Sequence, residues 1–240
     1  MKNKKTEHII NISSVFILLL IIVYSFTYSF KINLFKINNI LISGNQFIDN
    51  DTIKHIINDE IKNKNIYNIK IEKLNNKIEA HAFIQNVKIY TKLPSTIAIT
   101  IKEVNPIVLY QEDEKYFLID EKNKKIQANM NAINFYSVPI ITEYDNIEDH
   151  EYKKIINSLK YIANNNIELF DKINEIKFKN EYMLLIVNDT TVKINRYKMI
   201  NNISKLIQFV NETNNHKQIN TYKYINLAIP NQIIVKDKII

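Results

Sequence analysis

The chain has 240 residues, 46% of them hydrophobic and 24% charged, a balance that belongs to folded protein and excludes a disordered or fibrous chain. With no cysteine, it can hold no disulfide framework, thiolate metal site or cysteine nucleophile. Its net charge is +7, but the lysines are scattered and Arg196 is the sole arginine; base and phosphate readout favours the guanidinium fork, so this charge suits an anionic membrane or acidic partner rather than nucleic acid.

Residues 9–30, IINISSVFILLLIIVYSFTYSF, carry no charge between His8 and Lys31 and reach the roughly 20 residues that cross a bilayer. Residues 1–8 form a short tail with Lys2, Lys4 and Lys5 against the apolar run. The positive-inside rule therefore leaves the N-terminus in the cytoplasm and carries residues 31–240 across the membrane. A cleaved signal peptide is the competing reading, since Thr27 and Ser29 have the small-residue spacing of a cleavage site. Against it, the run exceeds the roughly 7 to 15 residues of a signal core, and Tyr24, Phe26, Tyr28 and Phe30 suit an interfacial aromatic belt.

After the anchor there is room for two small domains. Ile37, Ile40 and Ile42 predict a short strand stopped by Gly44-Asn45, and Gly44 is the only glycine in the chain. Asp49 is placed as an N-cap, with Ile53, Ile56, Ile57 and Ile61 on one helical face. A second helix is expected over 71–82, with Leu74 and Ile78 inward. Val87 and Ile89 then alternate, Leu93-Pro94-Ser95 turns, and Ile97, Ile99 and Ile101 alternate up to Glu103, giving the order β-α-α-β-β.

Beyond Pro106, which cannot donate to a strand ladder and suits a junction, short strands are expected at 107–110, 116–120 and 124–127, with the charged loop 111–115 between the first two. An amphipathic helix follows on Tyr152, Ile155, Ile156, Leu159 and Ile162. Strands resume at 173–178, 182–187 and 191–194, and a helix with Met199, Ile200, Ile203, Leu206, Ile207 and Val210 inward precedes a terminal pair, 222–229 and 232–236. Asn195 has one of the few side chains that tolerate a positive φ.

The run ISGN, the helix pair, and then FIQNVKIYTKLPSTIAITIKEVNPIVLY resembles the POTRA domain of the FtsQ/DivIB cell-division family. Within it, Pro94-Ser95-Thr96 and the passage from Glu103 through Pro106-Ile107-Val108 stand at the family's turn and strand-end positions, while Ala82 replaces a usual proline. Ser137 to Ile141 matches a further short family segment. YINLAIPNQIIVKDK is similar to the family's terminal hairpin, with Asn226 and Ala228 in place of Asp and Arg.

The resemblance implies an α+β fold in four parts: a cytoplasmic tail at 1–8, a transmembrane helix at 9–30, a POTRA domain at 35–105, and a mixed β domain with two helices at 106–240. It further implies a single-pass inner-membrane scaffold at the division septum, with its bulk periplasmic. Such a protein binds FtsB and FtsL-like partners by strand addition at the C-terminal strand, through Ile229, Asn231, Ile233, Ile234 and Val235. Asn86 and Ile89 would serve recruitment on the POTRA surface. Read from the residues alone, the terminal strand at 232–236 is better taken as an inner or self-capped one. A subunit of an envelope secretion or assembly apparatus is the alternative function.

No catalytic, cofactor or metal site is expected. The five histidines are dispersed, and one glycine is too few for a P-loop, Rossmann or nucleophile-elbow motif. Residues 148–151, Glu-Asp-His-Glu, form the densest group of ligand-type residues, but they precede a predicted helix, where acids favour the dipole. The acidic run 112–114 reads as a solvated hairpin loop.

Overall fold

The structure, a computed structural model, describes residues 4–142, 149–179, 181–213 and 216–238, the side chains of 4–13, 149 and 150 aside. It divides into two compact units, Met1–Glu103 and Val104–Ile240.

In the first unit, helix α1 (Lys4–Lys31) spans 28 residues, about 42 Å at the α-helical rise. No part of its Ser14–Lys31 window is buried, and the window is long and apolar enough to cross a membrane. The helix runs straight into the domain. Leu34 N–H donates to the Ser29 carbonyl at 3.1 Å, Asn33 takes φ 56°, and Phe35 is reached within four residues of Lys31. The Phe30 ring lies 5.0 Å from Phe26 and 5.2 Å from Phe35, which in turn lies 5.2 Å from Tyr67. Ile66 N–H donates to the Phe35 carbonyl and Ile37 N–H to that of Lys64.

Strand β1 (Asn39–Ser43) leaves this seam, α2 (Asn50–Ile61) returns to it, and α3 (Ile71–Glu79), β2 (Ile84–Lys92) and β3 (Thr96–Glu103) complete the unit. Strand β3 is central, parallel to β1 and antiparallel to β2. Asp49 caps α2 by accepting the Thr52 N–H at 2.6 Å, as its position predicts, which holds its carboxyl below the ordinary range. Ile53, Ile57, Leu74 and Ile78 are fully buried along with Ile97; each such side chain contributes about 2 kcal/mol through burial. Helix α3 stops at Glu79, three residues short of the expected 82. His81 N–H closes a turn onto the Ile78 carbonyl, and the chain then bends so that Phe83 meets Phe47 at 4.8 Å.

Two residues lock the Gly44 turn. Gly44 has φ +84°, and a Cβ there would lie 2.2 Å from the Ile101 carbonyl oxygen. Glu103, at the end of β3, accepts the backbone N–H groups of Gln46, Phe47 and Ile48 at 3.1, 2.9 and 2.9 Å. One carboxylate thus satisfies the run of amides between the turn and α2.

The second unit comprises β4 (Pro106–Glu112), β5 (Lys115–Asp120), β6 (Lys125–Ala128), α4 (Met130–Tyr136), β7 (Ile140–Thr142), α5 (Asp149–Asn165), α6 (Ile167–Phe170), β8 (Ile173–Phe178), β9 (Tyr182–Val187), β10 (Thr190–Asn195), α7 (Met199–Thr213), β11 (Tyr222–Asn226) and β12 (Ile234–Asp237). The strands form one mixed sheet in the order β12-β11-β10-β9-β8-β7-β4-β5-β6. Strands β9 and β10 alternate buried and half-buried residues, and β8 does so after the irregularity at Ile173–Glu175, as expected of a sheet with one covered face. Ile155, Leu159 and Ile162 of α5 and Ile203 and Leu206 of α7 share a core with Ile176, Leu185, Val192 and Ile225.

Several local expectations needed correction. Beyond the two expected helices there are α4 and α6, each one or two turns long and capped by Asn129 or Asn166. They are too short for a hydrophobic period to mark them. Asn195 has φ −70°, and its side chain accepts the Tyr197 N–H at 2.9 Å; Asn188, in the β9–β10 turn, takes the positive φ of 52°. Asp113 and Glu114, at φ 47° and 60°, make the two-residue turn between paired Glu112 and Lys115, a geometry usually given to Asn-Gly.

Candidate functional site

Strand β12 is the edge of the nine-stranded sheet, and among the described residues no strand lies beyond it. It pairs antiparallel with β11 through Asn226↔Ile234, Ile225↔Val235 and Tyr224↔Lys236, then across a bulge through Tyr222↔Asp237. Strand β11 runs parallel to β10, so α7 crosses over between them.

Backbone direction along β12 follows from one hydrogen bond. Lys238 donates its N–H to the Thr221 carbonyl at 3.0 Å, and successive residues of an antiparallel strand point their polar groups to opposite sides. Ile234 and Lys236 therefore face β11, while Val235 and Asp237 face away from the sheet. Leu227, whose N–H reaches the Lys193 carbonyl of β10 at 2.9 Å, gives the same alternation in β11.

The edge is apolar as well as unpaired. Ile233, Ile234 and Val235 are 37%, 44% and 42% exposed, on both faces of the strand, which makes it a template for another chain unless something covers it. Ile229 is half-buried in the β11–β12 connection, and Asn231 is exposed there at φ 60°. The structure thus brings Ile234 and Val235 together on β12, with Ile233 immediately before the strand and Ile229 and Asn231 earlier in the same connection. Asn86 and Ile89 belong to the other unit, on β2. Asn86 Nδ2 is bonded to Glu79 at 3.3 Å, and Ile89 is half-buried opposite Ile99.

The edge is held from behind. The fully buried Thr190 hydroxyl lies 2.8 and 2.7 Å from the carbonyls of Ile219 and Tyr222, at the start of β11. Lys217 pairs with Asp237 at 2.6 Å and sits 4.7 Å over the Tyr222 ring, which contacts Phe209 of α7. Asn226 and Ala228, which replace an expected charged pair, make a local turn: Asn226 Oδ1 accepts the Ala228 N–H at 3.0 Å. Burial pushes the nearby Tyr224 hydroxyl above its usual range.

Sequence reading missed the polar groups that come from distant positions. Lys125 pairs with Glu112 and lies 4.1 Å over the Phe117 ring, and the Glu112 carboxylate, with Tyr110, holds its ammonium above the usual range. Glu151 pairs with Arg196, whose guanidinium lies 4.6 Å over Phe178. Of the acidic group 148–151, Glu148 lies outside the described residues. Among the described residues no three His, Asp or Glu side chains converge.

These features define a class: a POTRA-type domain carried on an apolar helix, followed by a mixed sheet with an open terminal edge. Residues 35–103 match the model of the FtsQ-type POTRA domain, and residues 105–236 match that of the FtsQ/DivIB C-terminal related family. The chain belongs to the FtsQ/DivIB family of cell-division proteins. It is similar to the cell division protein FtsQ of Rickettsia bellii, 33% identical over 40% of this chain and 36% of that one. It is also similar to the cell division protein DivIB of Clostridium acetobutylicum, 32% identical over 48% and 47%, and to DivIB of Clostridium botulinum, 31% identical over 68% and 66%. The match to the Rickettsia protein spans about a third of that relative's length.

Proposed function

We propose that this protein is a non-catalytic scaffold of the bacterial division machinery, anchored by α1 in the inner membrane at the septum, with its N-terminus cytoplasmic and the remainder periplasmic. It binds FtsB and FtsL-like proteins by adding a partner strand to β12. The observation that carries this reading is the open edge, where the N–H and C=O groups of Val235 and Asp237 face outwards beside the exposed aliphatic side chains of Ile233, Ile234 and Val235. An extended segment laid there gains backbone hydrogen bonds, and alternate side chains supply specificity. Recruitment by other division proteins is assigned to the POTRA unit, with Asn86 and Ile89 as the surface to test.

The test is co-purification of the full chain, in detergent, with the FtsB and FtsL-like proteins of its own organism. Capture that is lost when the outward edge is blocked supports the reading; capture that survives moves the interface to α7 or to the first unit. A reporter active only in the periplasm, fused after residue 240, should be active, and activity of a cytoplasmic reporter there would reverse the orientation.

A further inference from the structure

We propose that the first unit has a lipid-docking face around the end of α1, which takes anionic phospholipid headgroups; the inference rests on α1 being a membrane anchor. Basic residues gather on this face. Residues 31–36 and 59–77 hold seven lysines against three acids, Asp59, Glu60 and Glu72, whereas residues 37–58 and 78–103 hold four lysines against four acids. The two basic segments are strapped together where the helix ends: Lys36 bridges Asn65, the Ile37 N–H bonds the Lys64 carbonyl, and the edge-on Phe35–Tyr67 ring pair meets Phe30 of α1 at a tilt.

Chain direction keeps the charge at this end. Strand β1 runs away from the seam to Gly44 and α2 runs back, so the C-terminus of α2 and the start of α3 both lie beside the helix exit. Lys64, Lys73 and Lys77 converge on Glu60 at 3.3, 2.7 and 2.9 Å. One carboxylate among three ammonium groups leaves the cluster positive. The β2–β3 hairpin tip adjoins the same end, since the Asn38 N–H donates to the Ser95 carbonyl.

The surface has the apolar component that an interfacial contact needs. Ile32, Leu34, Tyr67 and Leu93 are 53%, 42%, 54% and 63% exposed, and Tyr67 has the amphipathic ring favoured at headgroup depth. Clustered lysines held against a leaflet that contains anionic lipid are attracted to it, an effect that fades within a Debye length. The bilayer is the occupant because α1 delivers the face to it: five residues separate Lys31 from Ile37, which is bonded to the Lys64 segment.

The absence of native cysteine allows a single reporter in the full chain. Asn68→Cys places a fluorophore beside Tyr67, and Asp51→Cys places one in the first turn of α2, at the opposite end of the unit. Each is reconstituted in nanodiscs carrying headgroup-nitroxide lipid, with and without phosphatidylglycerol. The Asn68 probe should be quenched more strongly in the anionic discs at low salt, and the Asp51 probe equally in both. The contrast should vanish at high salt and in the triple variant Lys36→Gln/Lys62→Gln/Lys70→Gln, which leaves the Glu60 cluster intact and whose fold is checked by its melting curve. Equal quenching of the Asn68 probe in the two discs overturns the proposal, as does a contrast that survives both salt and the lysine substitutions. Disc capture is scored first, so that a chain that never enters the discs, which would remove the anchor itself, is told apart from one that enters without docking.

Discussion

The backbone N–H of Lys238 is bonded to the carbonyl of Thr221 at 3.0 Å, and this one contact decides which groups of the last strand are available to another chain. By alternation, Ile234 is committed to β11 and Val235 is not. Val235→Pro should therefore leave β12 paired to β11 and the second unit folded, while removing one outward donor and abolishing partner capture. Ile234→Pro should instead break the β11–β12 ladder. Amide exchange at Tyr224 and Asn226 separates the two, and equal exchange in both variants would show the alternation to be misassigned.

Glu103 is expected to be the most costly single polar group to remove from the first unit. Glu103→Ala leaves three amide N–H groups without their acceptor, which should cost about 3 kcal/mol, and Glu103→Gln should recover part of it. Denaturation of the full chain in detergent, followed through the first unit, measures both. A loss no larger than that of an exposed Glu→Ala change would mean the carboxylate is dispensable.

Gly44→Ala should be nearly as damaging, at about 2 kcal/mol or more, because φ +84° disfavours any side chain and the added methyl would meet the Ile101 carbonyl oxygen. The same denaturation experiment applies, and a neutral result would show that the turn can reorganise.

Lys73, Lys77 and Lys64 hold the Glu60 carboxyl at about 2, below its ordinary 4.5. The folded state thus prefers the ionised form. The resulting stability is complete above pH 4.5 and is lost as the pH falls through about 2. Glu60→Gln should flatten the acid dependence of unfolding across that window, whereas an unchanged slope would assign the acid lability to other carboxylates.

Much of the fold was legible because its signals are local. The alternation of Ile97, Ile99 and Ile101, the helical spacing of Ile53, Ile57 and Ile61, and the Asp49 cap each lie within a dozen residues. What stayed hidden depends on distance or parity. A glutamate ending a strand could be read, but its role as acceptor for Gln46, Phe47 and Ile48 exists only once β3 lies beside β1. In a chain this rich in asparagine, nothing local told the turn-forming Asn188 from the capping Asn195, or marked Asn129 and Asn166 as starts of short helices. The exposed aliphatic edge could be proposed, but whether Ile234 or Val235 faced outwards required the register and the bulge at Tyr222 and Tyr224.

The shortness of β12 bears on how long any assembly built on it lasts. Four residues, Ile234 to Asp237, form the strand, and of these only Val235 and Asp237 turn their backbone outwards. A strand laid alongside would gain about four hydrogen bonds there, each worth on the order of 1 kcal/mol net. That is comparable to the lower estimates of the entropy lost when two proteins associate, about 4 kcal/mol. Backbone pairing by itself would then hold a partner only fleetingly, and residence time would be set by how well Ile233, Ile234 and Val235 are covered. An edge built this way favours a complex that comes apart readily over one that is permanent.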